Sequence, residues 1–415
     1  MKKLVILGAG SAGTMMANHL AKTLPKSDWA ITIIDQYENH YYQPGFLFIP
    51  FGTYKEKDVV KPKRKFIPKS VEFILAQVSK IMPEKNMLEL KGGQTINYDI
   101  LVLATGTKID PSELPGAQEG WHKDIFDFYT LEGAVALHQR LQSWKGGKLV
   151  VHIQEMPIKC PVAPLEFSFL MDSWLRKKGL RDQTELIYVT PLSGAFTKPT
   201  CSVALTHLLT EKDIKLVPDF GTERVDSTAK KLHSFDEIEV PYDLLVTIPT
   251  NKGDEVIGRS GLGDDLNFIP TNKHTLQSNA FPNIFALGDA TNVPASKAGS
   301  VAHFQAEILT ENILHFIKGQ PLKPDFDGHA NCFIESGNGK ALLIDFNYTT
   351  EPGFGTFPFP ALGPMQLLKE TRLNHWGKLM FKWIYWYMLL KARPIPFITA
   401  KMSLMGKKTA KEAKK

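Results

Sequence analysis

The chain contains three cysteines, whose thiols can undergo thiol–disulfide exchange. They are Cys160, Cys201 and Cys332. Three is too few for a disulfide scaffold, and an odd number suits either free thiols or one redox pair with a bystander. Because a thiolate attacks disulfides by exchange, these residues are candidates for electron transfer as well as for inert core positions.

A glycine-rich turn near residue 10 has the spacing of a dinucleotide-binding site. Gly8, Gly10 and Gly13 follow a predicted buried strand and open a predicted helix. The first glycine permits the tight turn, the second lets a pyrophosphate approach the backbone, and the third lets helix and strand pack closely. Asp35 ends the next predicted strand, where an acid binds the ribose hydroxyls. The unit therefore predicts a dinucleotide site.

Two later segments indicate which dinucleotide is bound. Residues 101–106 (Leu-Val-Leu-Ala-Thr-Gly) resemble the strand-ending ATG motif of flavoproteins with two dinucleotide folds. Residues 284–289 (Ile-Phe-Ala-Leu-Gly-Asp) resemble the second flavin motif of that class, whose Asp contacts the ribitol. The resemblance implies FAD. Besides the glycines and Asp35, the contacts it assigns are Ala12, Pro44, Val78, Thr105, Gly106, Gly288, Asp289 and Lys297.

A second α/β unit begins at the predicted strand 148–153 but lacks a phosphate-binding turn. Pro157 and Pro161 follow that strand, and proline suits neither a tight glycine turn nor a loop that donates N–H groups. The next predicted strand, 185–189, ends in Thr190 rather than in an acid. We therefore predict a degenerate site that no longer binds NAD(P)H, with electrons entering from another donor.

The segment that replaces this turn resembles a known family. Residues 159–166 (Lys-Cys-Pro-Val-Ala-Pro-Leu-Glu) are similar to the KCxxAPxE segment of the sulfide:quinone oxidoreductases. Residues 326–332 are similar to that family's second cysteine segment, and residues 294–297 to its segment after the flavin motif. The resemblance extends to about residue 345 and rests on general character beyond it.

The resemblance implies a redox pair formed by Cys160 and Cys332. One sulfur would take up hydrosulfide as a persulfide, and the other, released as a thiolate, would pass two electrons to the flavin. By analogy with the family, Cys332 is the persulfide carrier and Cys160 faces the flavin. Lys159 is a candidate to lower the thiolate pKa. We interpret Cys201 as a bystander.

Other assignments remain open between two roles. Glu166 is either a base for sulfide or quinone protons or a carboxylate at a helix N-terminus. Lys297 either stabilises a reduced flavin or is a surface lysine. His303 is expected to be structural. Some family members carry a further cysteine about 30 residues before the first; residues 125–129 hold none, which predicts noncovalent FAD and leaves the sulfur chain length of the product open.

The last 50 residues are basic and aromatic. They hold 12 Lys or Arg against two Asp or Glu, while the whole chain has a net charge of only +6. Residues 376–390 predict an amphipathic helix that is too short and too charged to span a bilayer. Its apolar face is expected to contain Leu379, Trp383, Tyr387 and Leu390. We interpret it as a helix lying in the membrane surface, the alternatives being packing in the core or in a dimer interface.

A quinone requires a site beside lipid. Phe357 and Phe359 precede the predicted helix and are candidates to stack on a quinone ring, although core packing is an equal alternative. The start of the chain, Met1-Lys2-Lys3 followed by a short apolar run and the glycine turn, predicts no signal peptide.

These patterns predict an α/β fold with two Rossmann-like, glutathione-reductase-like domains and a C-terminal, membrane-associating amphipathic helical region. The predicted bounds are 1–110 with 281–325 for FAD, 111–280 for the degenerate second domain, and 326–415 for quinone and membrane attachment. We hypothesise a sulfide:quinone oxidoreductase, peripheral to a prokaryotic cytoplasmic membrane, with sulfide and a membrane quinone as substrates. A homo-oligomer is possible in this view, and neither a metal nor a nucleic acid is expected.

Three alternatives remain. A type II NADH:quinone oxidoreductase requires the missing nucleotide turn. A flavin subunit like that of flavocytochrome c sulfide dehydrogenase requires an export signal and a haem partner. A non-catalytic redox sensor would hold a flavin that sulfide does not reduce rapidly.

Overall fold

The glycine turn follows the central strand of a five-stranded parallel sheet. The computed structural model describes residues 1–359 and 362–408. In this sheet the strand order is Ile284–Ala286, Ile100–Leu103, Lys2–Leu7, Trp29–Asp35 and Glu72–Leu75. The central strands are almost entirely buried runs of Val, Ile and Leu, as expected for a parallel sheet covered on both faces. Helices Ser11–Thr23 and Gly299–Ile317 pack against each other beside it.

A second parallel sheet follows the same principle. Its order is Ile125–Phe126, Leu244–Ile248, Gly147–Ile153, Thr184–Val189 and Ile214–Val217. The helices between Ser11–Thr23 and Gly299–Ile317 are Glu56–Val59, Leu131–Gln142, Ala163–Lys178, Pro199–Glu211 and Glu255–Arg259. The bounds of the predicted domains remain a prediction. The first sheet takes four strands from residues 2–103 and its fifth from residues 284–286.

Smaller antiparallel sheets complete the two units. They comprise Val78–Met82 with Met87–Leu90 and Thr95–Asn97, Thr222–Asp226 with Lys231–Ser234 and Glu239–Pro241, Thr107–Ile109 with Asn251–Gly253, and Asn39–Tyr41 with Val60–Pro62. The chain changes sheets near residue 76, because Glu72–Leu75 belongs to the first parallel sheet and Val78–Met82 to an antiparallel one.

The C-terminal region contains the predicted helix and, in addition, a sheet that the sequence analysis did not predict. Its strands are Ala330–Gly337, Lys340–Phe346, Met365–Leu367, Phe354–Phe357 and Lys407–Lys408. The first two form a hairpin whose two-residue loop is Asn338-Gly339, both at positive φ, as a type I′ turn requires. One long helix, Arg372–Tyr387, packs against this sheet.

Two buried aromatics of this helix join it to the first unit. Tyr385 and Trp386 contact the rings of His40 and Tyr42, and Trp386 stacks on Phe66 with ring centres 5.0 Å apart. Burying an aromatic side chain contributes about 1.5–3 kcal/mol. The helix is therefore part of the core beside the glycine turn rather than an appendage.

A candidate active site at the glycine turn

A cavity of about 410 Å³ is shared by the glycine turn, both flavin motifs and two cysteines. It is lined by most of the residues singled out in the sequence: Gly8, Gly10, Ala12, Asp35, Pro44, Thr105, Gly106, Cys160, Glu166, Gly288, Asp289, Lys297 and Cys332. These positions come from both parallel sheets and from the C-terminal sheet. The fold thus brings together residues that are distant in the sequence.

The glycine turn has the shape that a pyrophosphate needs. Gly8 has φ +99°, and a Cβ there would lie 2.4 Å from the carbonyl oxygen of Ala104. A Cβ on Gly13 would lie 1.8 Å from the Gly8 oxygen, which accounts for close helix–strand packing. Gly10 differs, since no atom of the described residues lies within 4 Å of a Cβ built there. This open space over the backbone admits a phosphate beside the free N–H groups of the helix start.

Asp35 fixes the turn from the neighbouring strand. Its Oδ2 accepts the N–H of Ala9 at 2.7 Å, and its Oδ1 accepts that of Tyr37 at 2.9 Å. Oδ1 also pairs with Nζ of Lys63 at 2.6 Å, a buried lysine that lines the cavity. Burial lowers the pKa of Lys63 and Asp35 opposes this. Lys63 was not anticipated from the sequence.

Buried polar atoms without partners indicate where a polar ligand would bind. Within the described part of the chain, Thr105 Oγ1 and Asn331 Nδ2 are buried and have no hydrogen-bond partner, and both residues line the cavity. Asp289 is also at the wall, where burial raises its pKa and Lys297 and Lys159 oppose the shift. Together with the open cradle at Gly10, these residues fit FAD.

Lys297 is not a surface lysine. Its Nζ donates to the carbonyl oxygens of Asp289 at 3.0 Å and Thr291 at 2.6 Å, and it lies 4.0 Å from the centre of the Phe268 ring. Burial lowers the pKa of Lys297 to about 8, with Asp289 acting in the opposite direction. Lys297 therefore holds the second flavin motif in place and adds positive charge at the cavity wall.

Cys160 lies where the second nucleotide turn was expected. Its backbone has φ +47°, its N–H donates to Lys297 O at 2.7 Å, and its carbonyl accepts from Tyr129 Oη at 3.1 Å. These bonds tie the segment before helix Ala163–Lys178 to the flavin-side wall. Cys332 lies in strand Ala330–Gly337 and lines the same cavity. Each of the three cysteines is a free thiol, and Cys201 is fully buried outside the cavity wall.

A buried ion pair lies between the cysteines and the C-terminal helix. Lys378 Nζ is 2.7 Å from Glu166 Oε1, with the Glu166 side chain fully buried and that of Lys378 10% exposed. Burial raises the pKa of both Cys160 and Cys332, the latter to about 12; Glu166 raises them further, and Lys378 lowers both. Lys378 is thus the cation that favours a thiolate here.

Lys159, the candidate named from the sequence, is half-buried at the cavity wall and lies 5.7 Å from the Tyr129 ring centre. Burial lowers its pKa, and Asp289 is the strongest opposing charge.

Tyr385 is a further cavity residue that the sequence did not reveal. Its hydroxyl lies 2.5 Å from Ser11 Oγ, inside the glycine motif, and 2.6 Å from His40 Nε2. Burial lowers the pKa of His40 to about 3, so the ring is neutral at ordinary pH. The C-terminal helix therefore helps to position the glycine turn.

Four predicted site residues do not line the cavity. The first, Gly13, packs closely against Gly8 instead. Val78 is buried beside Ile81 and Leu88, because the chain leaves the first sheet at residue 75. Phe357 is buried in a small cluster with Leu343 and Leu367. Phe359 is partly exposed, with its ring 4.6 Å from that of Phe397. The aromatics that do line the cavity near Cys332 and Lys378 are Phe333 and Phe381.

The long C-terminal helix has an exposed apolar stripe that includes Trp383 and Tyr387 of the predicted face but not Leu379 or Leu390. Leu390 is fully buried and Leu379 half-buried. The stripe repeats every three or four residues and comprises Leu373, Trp376, Met380, Trp383 and Tyr387. No helix among residues 1–359 and 362–408 is long and apolar enough to cross a bilayer. His303 is buried, 3.4 Å from Glu307.

Comparison with known proteins finds similar chains and a similar fold. Residues 2–151 match the family model described as Pyridine nucleotide-disulphide oxidoreductase. The chain is 29% identical over 400 residues to the mitochondrial sulfide:quinone oxidoreductase of Dictyostelium discoideum and 26% identical over 401 residues to that of Mus musculus; each alignment covers 94% of this chain and 86% of the relative. The solved sulfide:quinone oxidoreductase of Aquifex aeolicus has the same fold, with a TM-score of 0.78, 21% identity, and coverage of 95% of this chain and 92% of that one. The chain is thus a homologue of the sulfide:quinone oxidoreductases, built on the pyridine nucleotide-disulphide oxidoreductase fold.

Proposed function

We propose that this chain is an FAD-dependent sulfide:quinone oxidoreductase that oxidises sulfide to sulfur or polysulfide at Cys160 and Cys332. The observation that carries the proposal is the common cavity: both thiols lie on the wall that also contains the glycine turn and Asp289. Two cysteines so far apart in the sequence meet there because the segment after Ile153 and strand Ala330–Gly337 converge on it.

The chemistry follows from thiol exchange. When the two cysteines are oxidised to a disulfide, hydrosulfide attacks one sulfur and forms a persulfide, and the other sulfur leaves as a thiolate. Lys378 and the backbone bonds at Cys160 favour and orient that thiolate. FAD, when bound, supplies the two-electron acceptor. Cys160 is assigned as the flavin-facing sulfur, in keeping with its bond to Lys297.

The residues that would hold FAD are those at the cradle. Gly10 and the start of helix Ser11–Thr23 would receive the pyrophosphate, Asp35 the ribose, and Asp289 the ribitol. Thr105 and Asn331 supply unpaired polar atoms along the wall. A noncovalent FAD is supported by the absence of a cysteine at residues 125–129.

A membrane surface is the proposed place of reaction with quinone. The exposed stripe on helix Arg372–Tyr387 presents Trp and Tyr, which favour the headgroup region, and basic residues flank it. Phe333 and Phe381 line the cavity on the side of this helix and are the aromatic candidates for contact with a quinone ring. The cellular membrane, its face and the oligomeric state remain predictions.

NADH is disfavoured as electron donor by the second unit. In a nucleotide site, the start of helix Ala163–Lys178 would bind a pyrophosphate. Here its first turn contains the carboxylate of Glu166, already paired with Lys378, and Pro164 removes one N–H. The type II NADH:quinone oxidoreductase alternative therefore has the weaker support.

Steady-state reduction of a soluble quinone by sulfide tests the proposal. The FAD-loaded wild type should reduce quinone, whereas Cys160→Ser and Cys332→Ser should each lose at least about 99% of the rate, since each removes one of the two exchanging sulfurs. Cys201→Ser is the matched control and should retain the wild-type rate. Wild-type rates in either of the first two variants would remove that cysteine from the mechanism.

A further inference from the structure

A second buried carboxylate lies directly behind the cavity wall. Glu335 is fully buried in strand Ala330–Gly337, three residues after Cys332, and its backbone N–H donates to Glu166 Oε1 at 2.8 Å. Its carboxylate oxygens are 2.9 and 3.0 Å from Nδ1 of His375. Neither Glu335 nor His375 lines the cavity, so neither is used by the chemistry described above.

These groups lie between the cavity and the surface, and their side chains are bonded in two neighbouring pairs, Glu166 with Lys378 and Glu335 with His375. Glu166 lines the cavity, and its Oε2 is buried without a partner among the described residues. Lys378 bonds to Glu166 and lies within electrostatic reach of Glu335. His375, one turn before Lys378 on the same helix, has 22% of its side chain exposed. The only member that touches solvent appreciably is therefore the one farthest from the cavity.

The proposed reaction consumes a proton that these groups could supply. Hydrosulfide brings two electrons and one proton, whereas reduction of a quinone to a quinol consumes two electrons and two protons. With zero-valent sulfur as product, each turnover takes one further proton from water. Side chains of the C-terminal helix, Lys378 and Phe381 among them, form part of the cavity wall on this side, where ionisable groups can carry that proton.

We propose that Glu335 and His375 form a proton path that connects Glu166 and Lys378, at the cavity wall, with solvent. The path deepens the proposed function and rests on it. His375 takes the proton from water at one ring nitrogen and passes one to Glu335 from Nδ1. Glu335 passes it across Lys378 to Glu166, which delivers it to the cavity. No net charge is left on the path, because each group returns to its starting state.

Burial and the surrounding charges bring the pKa of Glu335 close to neutral pH. Burial and then Glu166 raise the pKa of Glu335 to about 8, while Lys378 lowers it. Tyr54 faces the pair as well, and Glu335 contributes to its raised pKa. On the surface side, burial and then Lys177 lower the pKa of His375. Near pH 7 the Glu335 carboxyl is therefore mainly protonated and can donate, whereas above about pH 8 it becomes an anion.

Glu335→Gln tests the path because it keeps the shape and removes the transferable proton. We expect its quinone-coupled turnover to fall about tenfold or more, below the ~10²–10⁴-fold loss typical of a group acting directly on the reacting atoms. The wild-type decline in turnover above about pH 8 should be absent from the variant. Formate, a small weak acid, should restore part of the rate. His375→Gln should show a similar, smaller loss.

A control variant and the reduction of the flavin by sulfide distinguish a loss of proton transfer from a general loss of activity. Glu307→Gln removes a partly buried carboxylate from another Glu–His pair outside the cavity wall and should leave turnover unchanged. Sulfide should still bleach the flavin of Glu335→Gln at the wild-type rate. A Glu335→Gln enzyme with wild-type turnover and pH profile, or one slowed equally in bleaching and unrescued by formate, would overturn the path. A wild type that sulfide fails to bleach would instead overturn the proposed function.

Discussion

Removing Lys378 should destabilise the protein in a pH-dependent way. The Glu166 side chain is fully buried, and without Lys378 its Oε1 keeps the Glu335 N–H as partner. Breaking a buried ion pair from one side costs about 3–5 kcal/mol, because the remaining charge is uncompensated. At about 2.1 cal/mol/K of unfolding entropy per residue over 415 residues, the Tm of Lys378→Met should fall by about 3–6 °C near pH 7.

The direction in which stability changes with pH follows from the protonation of the Glu166 carboxyl. Burial raises the pKa of Glu166 in the folded protein, and Lys378 opposes that shift. In Lys378→Met the folded pKa rises further above the ordinary value of about 4.3. Below that ordinary value Glu166 is protonated in both states and the loss is smallest. Between that value and the raised folded pKa of the wild type, the unfolded state ionises in both proteins alike. Above the wild-type folded pKa only the variant keeps Glu166 protonated in the folded state, so from there to the variant's folded pKa it loses stability relative to wild type.

Thermal melts from pH 4 to 8 provide the assay, with two controls. Lys382→Met, one turn further along the helix, removes a lysine 4.0 Å from the Tyr54 ring centre and should cost about 1 kcal/mol or less. Glu166→Gln combined with Lys378→Met removes both charges of this pair and should recover most of the lost stability. A Tm loss that does not change with pH, or a double variant no better than Lys378→Met, would refute the reasoning.

Three further predictions concern the cofactor and the C-terminal helix. Gly10→Val should fold normally but purify without flavin, since the added side chain enters open space over the backbone; an absorbance spectrum with normal flavin content would contradict this. Tyr385→Phe should lower the free energy of unfolding by about 1–3 kcal/mol in urea titrations, because Ser11 and His40 lose their shared partner. Replacing both Trp376 and Trp383 by Ser should abolish sedimentation with anionic vesicles, whereas Val203→Ser, equally exposed on another helix, should not; unchanged sedimentation of the double variant would remove the membrane role of the stripe.

The flavin side of the cavity could be predicted because its signals are local. Gly8, Gly10 and Gly13 report backbone requirements of one turn, and Asp35 follows at the end of the adjacent strand. The order of such motifs along the chain identifies the fold without knowledge of long-range packing. Lys63, which pairs with Asp35, could not be predicted because the residues around it in the sequence do not indicate that it is buried.

The sulfur side could be predicted only by resemblance, and its electrostatics not at all. Helical periodicity places Lys378 and Lys382 on one face, which suggests two solvated lysines. Only the packing of helix Arg372–Tyr387 against strand Ala330–Gly337 turns Lys378 toward Glu166, and no local pattern carries that information. The Asn338-Gly339 hairpin, by contrast, was a readable signal that predicts the strands found there.

Anaerobic titration of the FAD-loaded protein, followed by flavin absorbance, tests the central claim most directly. Sulfide should bleach the flavin band at a stoichiometry near one per flavin once the cysteines are oxidised, and NADH should leave it unchanged. Rapid bleaching by NADH together with no response to sulfide would contradict the account.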